Sequence, residues 1–196
     1  MPDGISADTE IIKTQERGKT GIKKPKMITN EDAGRISAIL PKTDKLIFAL
    51  AIESGLRISD ILDIKANQIG KIMYVRERKT GKHRVVELSE GLYEQLRPYA
   101  KPEDVHNYFL FHSPRSPRAA LHRSTFHRHL KRAGKIASVN VSAHSARKLY
   151  AQNAFKSTGS IFEVQKALNH KYVTTTAAYL DIDINELIAR AAAQKT

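Results

Sequence analysis

Two guanidinium groups, two imidazoles, an ammonium group and a phenol stand out in this 196-residue chain for their local settings. Gly55-Leu56-Arg57-Ile58-Ser59-Asp60 sets an arginine just past the end of an expected helix. His144-Ser145-Ala146-Arg147 puts a histidine and an arginine at i and i+3, on one helix face. Leu168-Asn169-His170 closes another expected helix, and Tyr179 follows nine residues after that histidine. Lys79 begins a turn in Arg78-Lys79-Thr80-Gly81-Lys82. Guanidinium groups clamp phosphate oxygens through paired, charge-assisted hydrogen bonds. Imidazole moves protons near neutral pH. A phenol, with an ordinary pKa of about 10, becomes nucleophilic where cations favour its anion. Such a set suits chemistry on a phosphate ester without a metal. Each residue also has an ordinary reading. Arg57 can cap the carbonyls of the preceding helix, and His144 with Arg147 can simply contact a phosphate backbone. His170 can be a capping or buried histidine. Tyr179 can be a core aromatic beside Ala177, Ala178 and Leu180.

Other chemistries fall away. The chain has no cysteine, which removes disulfides, thiol catalysis and Cys-based zinc fingers. There is no Walker-type phosphate loop and no GxGxxG after a strand. His122, His127 and His129 have no Cys or carboxylate near them and sit among cations, so no metal is expected. The acidic residues do not cluster as two-metal nuclease ligands would, and no cofactor is expected. Charge is more informative. Lys plus Arg is 33 and Asp plus Glu is 20, a formal net charge of +13. Residues 105–162 contain no acid at all, yet carry Arg115, Arg118, Arg123, Arg128, Lys131, Arg132, Lys135, Arg147, Lys148 and Lys156. A solvated surface normally mixes signs. This one points to a polyanion, and to a nucleic-acid backbone before a membrane, since no strongly apolar face accompanies it. The longest apolar run, Leu46 to Ile52, is too short to span a bilayer, and the N-terminus lacks a signal pattern. A cytoplasmic, nucleoid-associated protein is the expectation.

The elements that must position these groups read as mainly helical, with a hydrophobic fraction of 41% to fill a core. Residues 1–26 are polar and aperiodic and read as a flexible tail. Thr29 with Asp32 forms a capping pattern ahead of Ile36, Ile39 and Leu40. A second helix starts near Thr43, buries Leu46, Ile47, Leu50 and Ala51, and stops at Gly55. A short helix follows at 59–62. Residues 71–78 and 83–88, rich in Ile, Val and Tyr around Thr80-Gly81, read as a β-hairpin. A helix is expected over 89–99. Ser113-Pro114 and Ser116-Pro117 mark a loop. Helices are then expected over 123–137, 144–157, 160–168, 173–180 and 184–194, with capping signals at Ser160/Glu163 and Asp183/Glu186. The fold class is α+β, mainly α, with a small antiparallel sheet in one domain over 27–182.

Taken together, the quoted motifs resemble the catalytic domain of the tyrosine recombinases, the family of phage integrases and Xer-type resolvases. That family carries Gly-Leu-Arg-x-Ser-Glu/Asp, a hairpin lysine, His-x-x-Arg, a Gly-His pair and a tyrosine about nine residues on. The match runs over roughly residues 27 to 185. The resemblance implies catalytic roles for Arg57, Lys79, His144, Arg147, His170 and Tyr179. Tyr179 would attack a DNA phosphate while Arg57 and Arg147 clamp its oxygens. His144 would accept the phenolic proton, Lys79, or else Lys82 in the same connector, would protonate the leaving 5′ oxygen, and His170 would hold the phosphate and orient the tyrosine. The resulting 3′-phosphotyrosine keeps the phosphodiester energy, so rejoining needs no ATP. Site-specific recombination or integration is the expected function. A relaxing topoisomerase of the same chemistry and a non-catalytic DNA-binding regulator on this fold are the alternatives. Expected partners are double-stranded DNA, contacted by Lys82, Arg84, Arg123, Arg128, Lys131 and Arg132, further copies of the chain as a tetramer on DNA, and accessory DNA-bending proteins.

Two departures stand out. Asn169 replaces the usual Gly before His170, which Asn tolerates in a left-handed backbone, and Ser145-Ala146 replace Asp-Leu. Many family members also carry an N-terminal core-binding domain, whereas about 26 residues precede the expected catalytic domain here. The chain thus reads as a minimal recombinase or as a fragment whose clamp lies elsewhere, and weak, salt-dependent DNA binding by a lone monomer is expected. The apolar stripe Ile184, Leu187, Ile188 and Ala191 is expected to form a terminal helix, over 183–196, that packs on its own domain or, as the resemblance implies, is exchanged between protomers. The β-branched run from Val173 to Thr176 predicts a mobile Tyr179 segment.

Overall fold

The computed structural model describes residues 27–104 and 106–183. The chain runs through α1 (Asn30–Ile39), α2 (Lys42–Ser54), α3 (Ile58–Leu62), β1 (Ile72–Arg76), β2 (His83–Glu87) and α4 (Glu90–Leu96). It continues through β3 (His112–Ser113), β4 (Ser116–Ala120), α5 (Arg123–Ile136), α6 (Ala143–Thr158), α7 (Ile161–Ala167) and α8 (Val173–Leu180). The expected mainly helical class with a small antiparallel sheet holds. The sheet content is two separate hairpins, β1–β2 and β3–β4.

Local chemistry sets the boundaries. The Thr29 hydroxyl accepts from Asp32 N–H while the Asp32 carboxylate accepts from Thr29 N–H, so the expected capping box closes α1. Helix α2 ends at Gly55, at φ 63°, whose N–H reaches Ala51 O at 3.0 Å. A Cβ there would lie 2.3 Å from the ring of Tyr150 on α6, so glycine is needed for both backbone and packing. The helix expected over 89–99 is α4 followed by a 3-10 turn at Arg97–Tyr99, because Pro98 cannot donate to an α-helical ladder.

The segment read as a loop at Ser113-Pro114 and Ser116-Pro117 is instead the β3–β4 hairpin. It is short and its register shifts between His112 and Ser113, and β4 contains Pro117, which lacks a ladder donor. In β1–β2, Met73 pairs with Val86 and both face the core, while Tyr74 and Val85 pair on the outer face. Two apolar clusters fill the interior. The larger gathers α1 to α6 around Ile36, Phe48, Leu50, Leu56, Phe126 and Leu130. The smaller comprises Ala151, Ile161, Val164, Leu168, Ala177 and Leu180 from α6, α7 and α8. Helix α6 belongs to both. No helix among the described residues is long and apolar enough to cross a membrane. The expected tail over 1–26, the helix over 184–194 and its partner cap residue Glu186 lie outside the described residues.

Candidate active site

Arg147 sits on the second turn of α6 and its side chain is almost wholly buried. Nη1 donates to Gly55 O at 2.5 Å, at the end of α2, and Nη2 to Leu168 O at 2.6 Å, at the end of α7. The guanidinium therefore rivets three helices together, using carbonyls that helix ends leave open. Burial lowers its pKa to about 10, so it stays cationic at neutral pH.

Arg57 is the N-cap residue of α3, with its side chain 23% exposed. Its Nη1 meets Glu77 Oε2 at 3.1 Å and lies 3.8 Å from Asp60 Oδ2. The capping role considered for Arg57 toward the preceding helix is not what it does. Asp60 is buried and accepts from Arg78 N–H at 3.1 Å, so the acid of the Gly55–Asp60 motif pins the end of β1.

His144 occupies the first turn of α6, in front of Arg147. Partial burial lowers its pKa, and the charges of Arg147 and Arg57 add to that. Arg57, Ser59, Arg123, His127, His144 and Arg147 line one pocket of about 130 Å³. That volume suits an anionic group of phosphate size, and every ionisable group lining it is a potential donor. His127, discounted as a metal ligand in the sequence, belongs to this pocket. Its signal was its place four residues after Arg123, on the same helical face.

His170 follows α7 in the turn made by Asn169, whose φ is 55°, the left-handed conformation expected there. Its Nδ1 lies 3.0 Å from the buried Thr176 hydroxyl. Its ring meets that of Tyr179 edge-on, with centroids 5.5 Å apart and planes at 83°. Burial first, then Arg147 and Arg57, push the imidazole down to about 4, so it is neutral at physiological pH. Tyr179, on the last turn of α8, is half-buried rather than sealed. Its hydroxyl makes a long contact of 3.5 Å to His144 O, and Lys148 Nζ lies 5.6 Å from its ring centre. Arg147 and Arg57 pull its pKa down as expected, but burial outweighs them and raises it. The resting phenol is thus protonated, because desolvation of the anion wins over two nearby cations.

The other predicted residues divide. Lys79 is exposed in the β1–β2 connector, and its charge is felt at His170. Lys82 donates to Asn169 Oδ1 at 3.3 Å. Arg84 turns inward, donating to Ser54 O and lying 5.7 Å from the Tyr150 ring centre. Arg123 joins the clamp pocket. Arg128, Lys131 and Arg132 line a different groove with Lys135, Val139 and Val141, on another face of α5. His129 is spent on Asp44, with Nδ1 at 2.7 Å from Oδ2. Sequence reasoning missed Glu77, the buried carboxylate on which Arg57 rests. An acid inside Arg76-Glu77-Arg78-Lys79 was the available signal.

A model of the phage integrase family matches residues 26–186. The tyrosine recombinase XerA of Thermococcus onnurineus (strain NA1) is 29% identical over 170 residues, 83% of this chain and 60% of that protein. The probable integrase/recombinase YoeC of Bacillus subtilis (strain 168) is 31% identical over 145 residues, 72% of this chain and 79% of that protein. Among solved structures, the crystal structure of XerA recombinase gives a TM-score of 0.68 at 23% identity, covering 92% of this chain and 67% of that one. A lambda integrase dimer bound to a COC′ core site gives 0.66 at 22% identity, covering 85% and 62%. The chain thus spans about three-fifths of the length of the first relative.

Proposed function

Because the chain belongs to the phage integrase family, we propose that it is the strand-cutting unit of a site-specific recombinase, acting on double-stranded DNA through Tyr179. One observation carries this reading. Arg57, His144 and Arg147 line one anion-sized pocket, the Tyr179 hydroxyl reaches the His144 carbonyl beside it, and the His170 ring packs edge-on against Tyr179.

The chemistry follows from the groups. A phosphodiester enters between Arg57 and Arg147, whose charges meet the negative charge that builds on its non-bridging oxygens. The Tyr179 Oη attacks phosphorus, and its proton passes to His144, kept neutral at pH 7 by burial and two arginines. The bond to the 5′ oxygen breaks, and Lys79 supplies the proton that leaves with it as a hydroxyl. A 3′-phosphotyrosine remains, and attack by another 5′ hydroxyl reverses every step, so no outside energy enters. His170 donates to a phosphate oxygen from Nε2 while Thr176 fixes its other nitrogen. Lys79 suits the acid role better than Lys82, whose ammonium is engaged with Asn169. Arg123 extends the clamp along the DNA backbone. Arg128, Lys131 and Arg132 form a second contact surface, and further copies complete a tetramer on paired sites.

The test is a nicked suicide substrate carrying the recognition site. A covalent protein–DNA adduct is expected on denaturing gels and is abolished by Tyr179→Phe with DNA affinity kept. Specific binding without an adduct would identify a regulator on this fold instead.

A further inference from the structure

Glu77 and Asn169 belong to none of the roles above, yet they join the pieces that perform them. A single oxygen, Glu77 Oε2, accepts from Arg57 Nη1 at 3.1 Å, from Asn169 Nδ2 at 3.1 Å and from Thr80 Oγ1 at 2.9 Å. The Glu77 side chain is fully buried, and burying a carboxylate is costly unless donors surround it. Its other oxygen, Oε1, is buried with no hydrogen-bond partner among the described residues, so all the compensation falls on Oε2. The donors hold the carboxyl below its ordinary pKa despite burial.

The Asn169 amide is engaged at both ends. Nδ2 donates to Glu77, and Oδ1 accepts from Lys82 Nζ at 3.3 Å. Glu77 and Lys82 are the two residues bracketing the connector 78–81, and Glu77 N–H bonds Lys82 O at 2.9 Å. One amide therefore grips both roots of the connector that bears Lys79, from the residue directly before His170. The same carboxylate that it holds also fixes the direction of Arg57.

We propose that Asn169 and Glu77 form a latch, a pair of positioning residues that sets the Lys79 connector against the His170 turn and aims Arg57. It rests on the reading of this site as one that cleaves DNA.

Single-turnover cleavage of the suicide substrate, with DNA affinity measured in parallel, tests the latch on the full chain. Asn169→Gly is the decisive variant. Glycine accepts the φ of 55° freely, so the turn persists while both amide bonds vanish. Cleavage is expected to slow roughly 10- to 100-fold, the usual cost of losing a partner that orients a reacting group, with affinity essentially unchanged. Glu77→Gln, which keeps an acceptor for Arg57 and Thr80, recovers most of the rate that Glu77→Ala loses. The double variant Glu77→Ala/Asn169→Gly is no slower than Glu77→Ala alone, as members of one unit behave. Cleavage by Asn169→Gly at the wild-type rate, a loss confined to affinity, or multiplicative effects in the double variant would each overturn the proposal. If the unaltered chain forms no Tyr179-dependent adduct, it is the reading of the site that fails. The latch then stands or falls on amide exchange over 78–82, which Asn169→Gly must accelerate.

Discussion

The two apolar clusters carry opposite halves of the site, and they are unequal. Arg57, His144 and the Gly55 carbonyl that grips Arg147 stand on the large cluster, among side chains such as Ile47, Phe48, Leu50 and Ala51 that are wholly buried. His170 and Tyr179 stand on the small cluster, which has six buried apolar side chains among the described residues. Helix α6 is the hinge line, giving Ala146 and Leu149 to one and Ala151 to the other. Stability is not uniform within a fold, and elements with few buried contacts open first. On the proposed reading, Arg57 and His144 belong to a firm wall, and the attacking phenol with His170 belongs to a softer one.

Arg147 is where that comparison is most easily broken, since it bonds carbonyls on both sides. Arg147→Ala is expected to reduce cleavage by roughly 10³-fold and to destabilise the fold by about 3 kcal/mol. Adduct formation and urea denaturation measure the two. A full loss of cleavage with unchanged stability would mean that the two walls do not depend on this rivet. Packing sharpens the contrast. Leu50→Ala on the firm wall should cost ~3 kcal/mol. Val164→Ala on the soft one should cost ~1–2 kcal/mol, and equal costs would erase the distinction. Amide exchange makes the same comparison without mutation. Residues 173–180 are expected to exchange well before the core of α2 in free protein, and equal protection would remove the soft wall.

A further effect is on pH. The folded His170 has a pKa of about 4 against an ordinary 6.5, and His144 and His127 are shifted in the same direction. Below pH 6.5 the unfolded chain takes up protons that the native site refuses. Their contribution to stability is therefore complete above 6.5 and is lost as pH falls toward 4. Thermal melts between pH 7 and 5 should show Tm falling, less steeply in His170→Asn. A Tm that rises on acidification would contradict the burial of these rings.

The firm wall was also the more legible one. The stripe Leu46, Ile47, Leu50 and Ala51, stopped by Gly55, announces a helix at its own period, and α2 forms there. The charged motif residues were legible because their order and spacing match the family pattern, and because His144 and Arg147 lie in a stretch with no acid. Glu77 leaves only a weak mark in the sequence. An acid between two arginines reads as ordinary charge mixing at a strand end, and only folding shows Asn169 and Arg57 arriving at it from 92 and 20 residues away. The β3–β4 pair was hidden by Pro114 and Pro117, which signal a break whether or not the flanking residues pair. The net upward shift of the Tyr179 pKa is hidden from the sequence for a related reason. Sequence displays the cations around Tyr179 but not the solvent its neighbours remove.

The two arginines are held by different means, and this has a bearing on inheritance. Arg57 leans on a carboxylate, which offsets part of its charge and which a single codon change can delete. Arg147 hangs from the main-chain oxygens of residues 55 and 168, which no substitution can remove while the trace of the chain persists. Descendants of this sequence can thus drift widely around Arg147 without loosening it, whereas drift at position 77 reaches the other arginine at once.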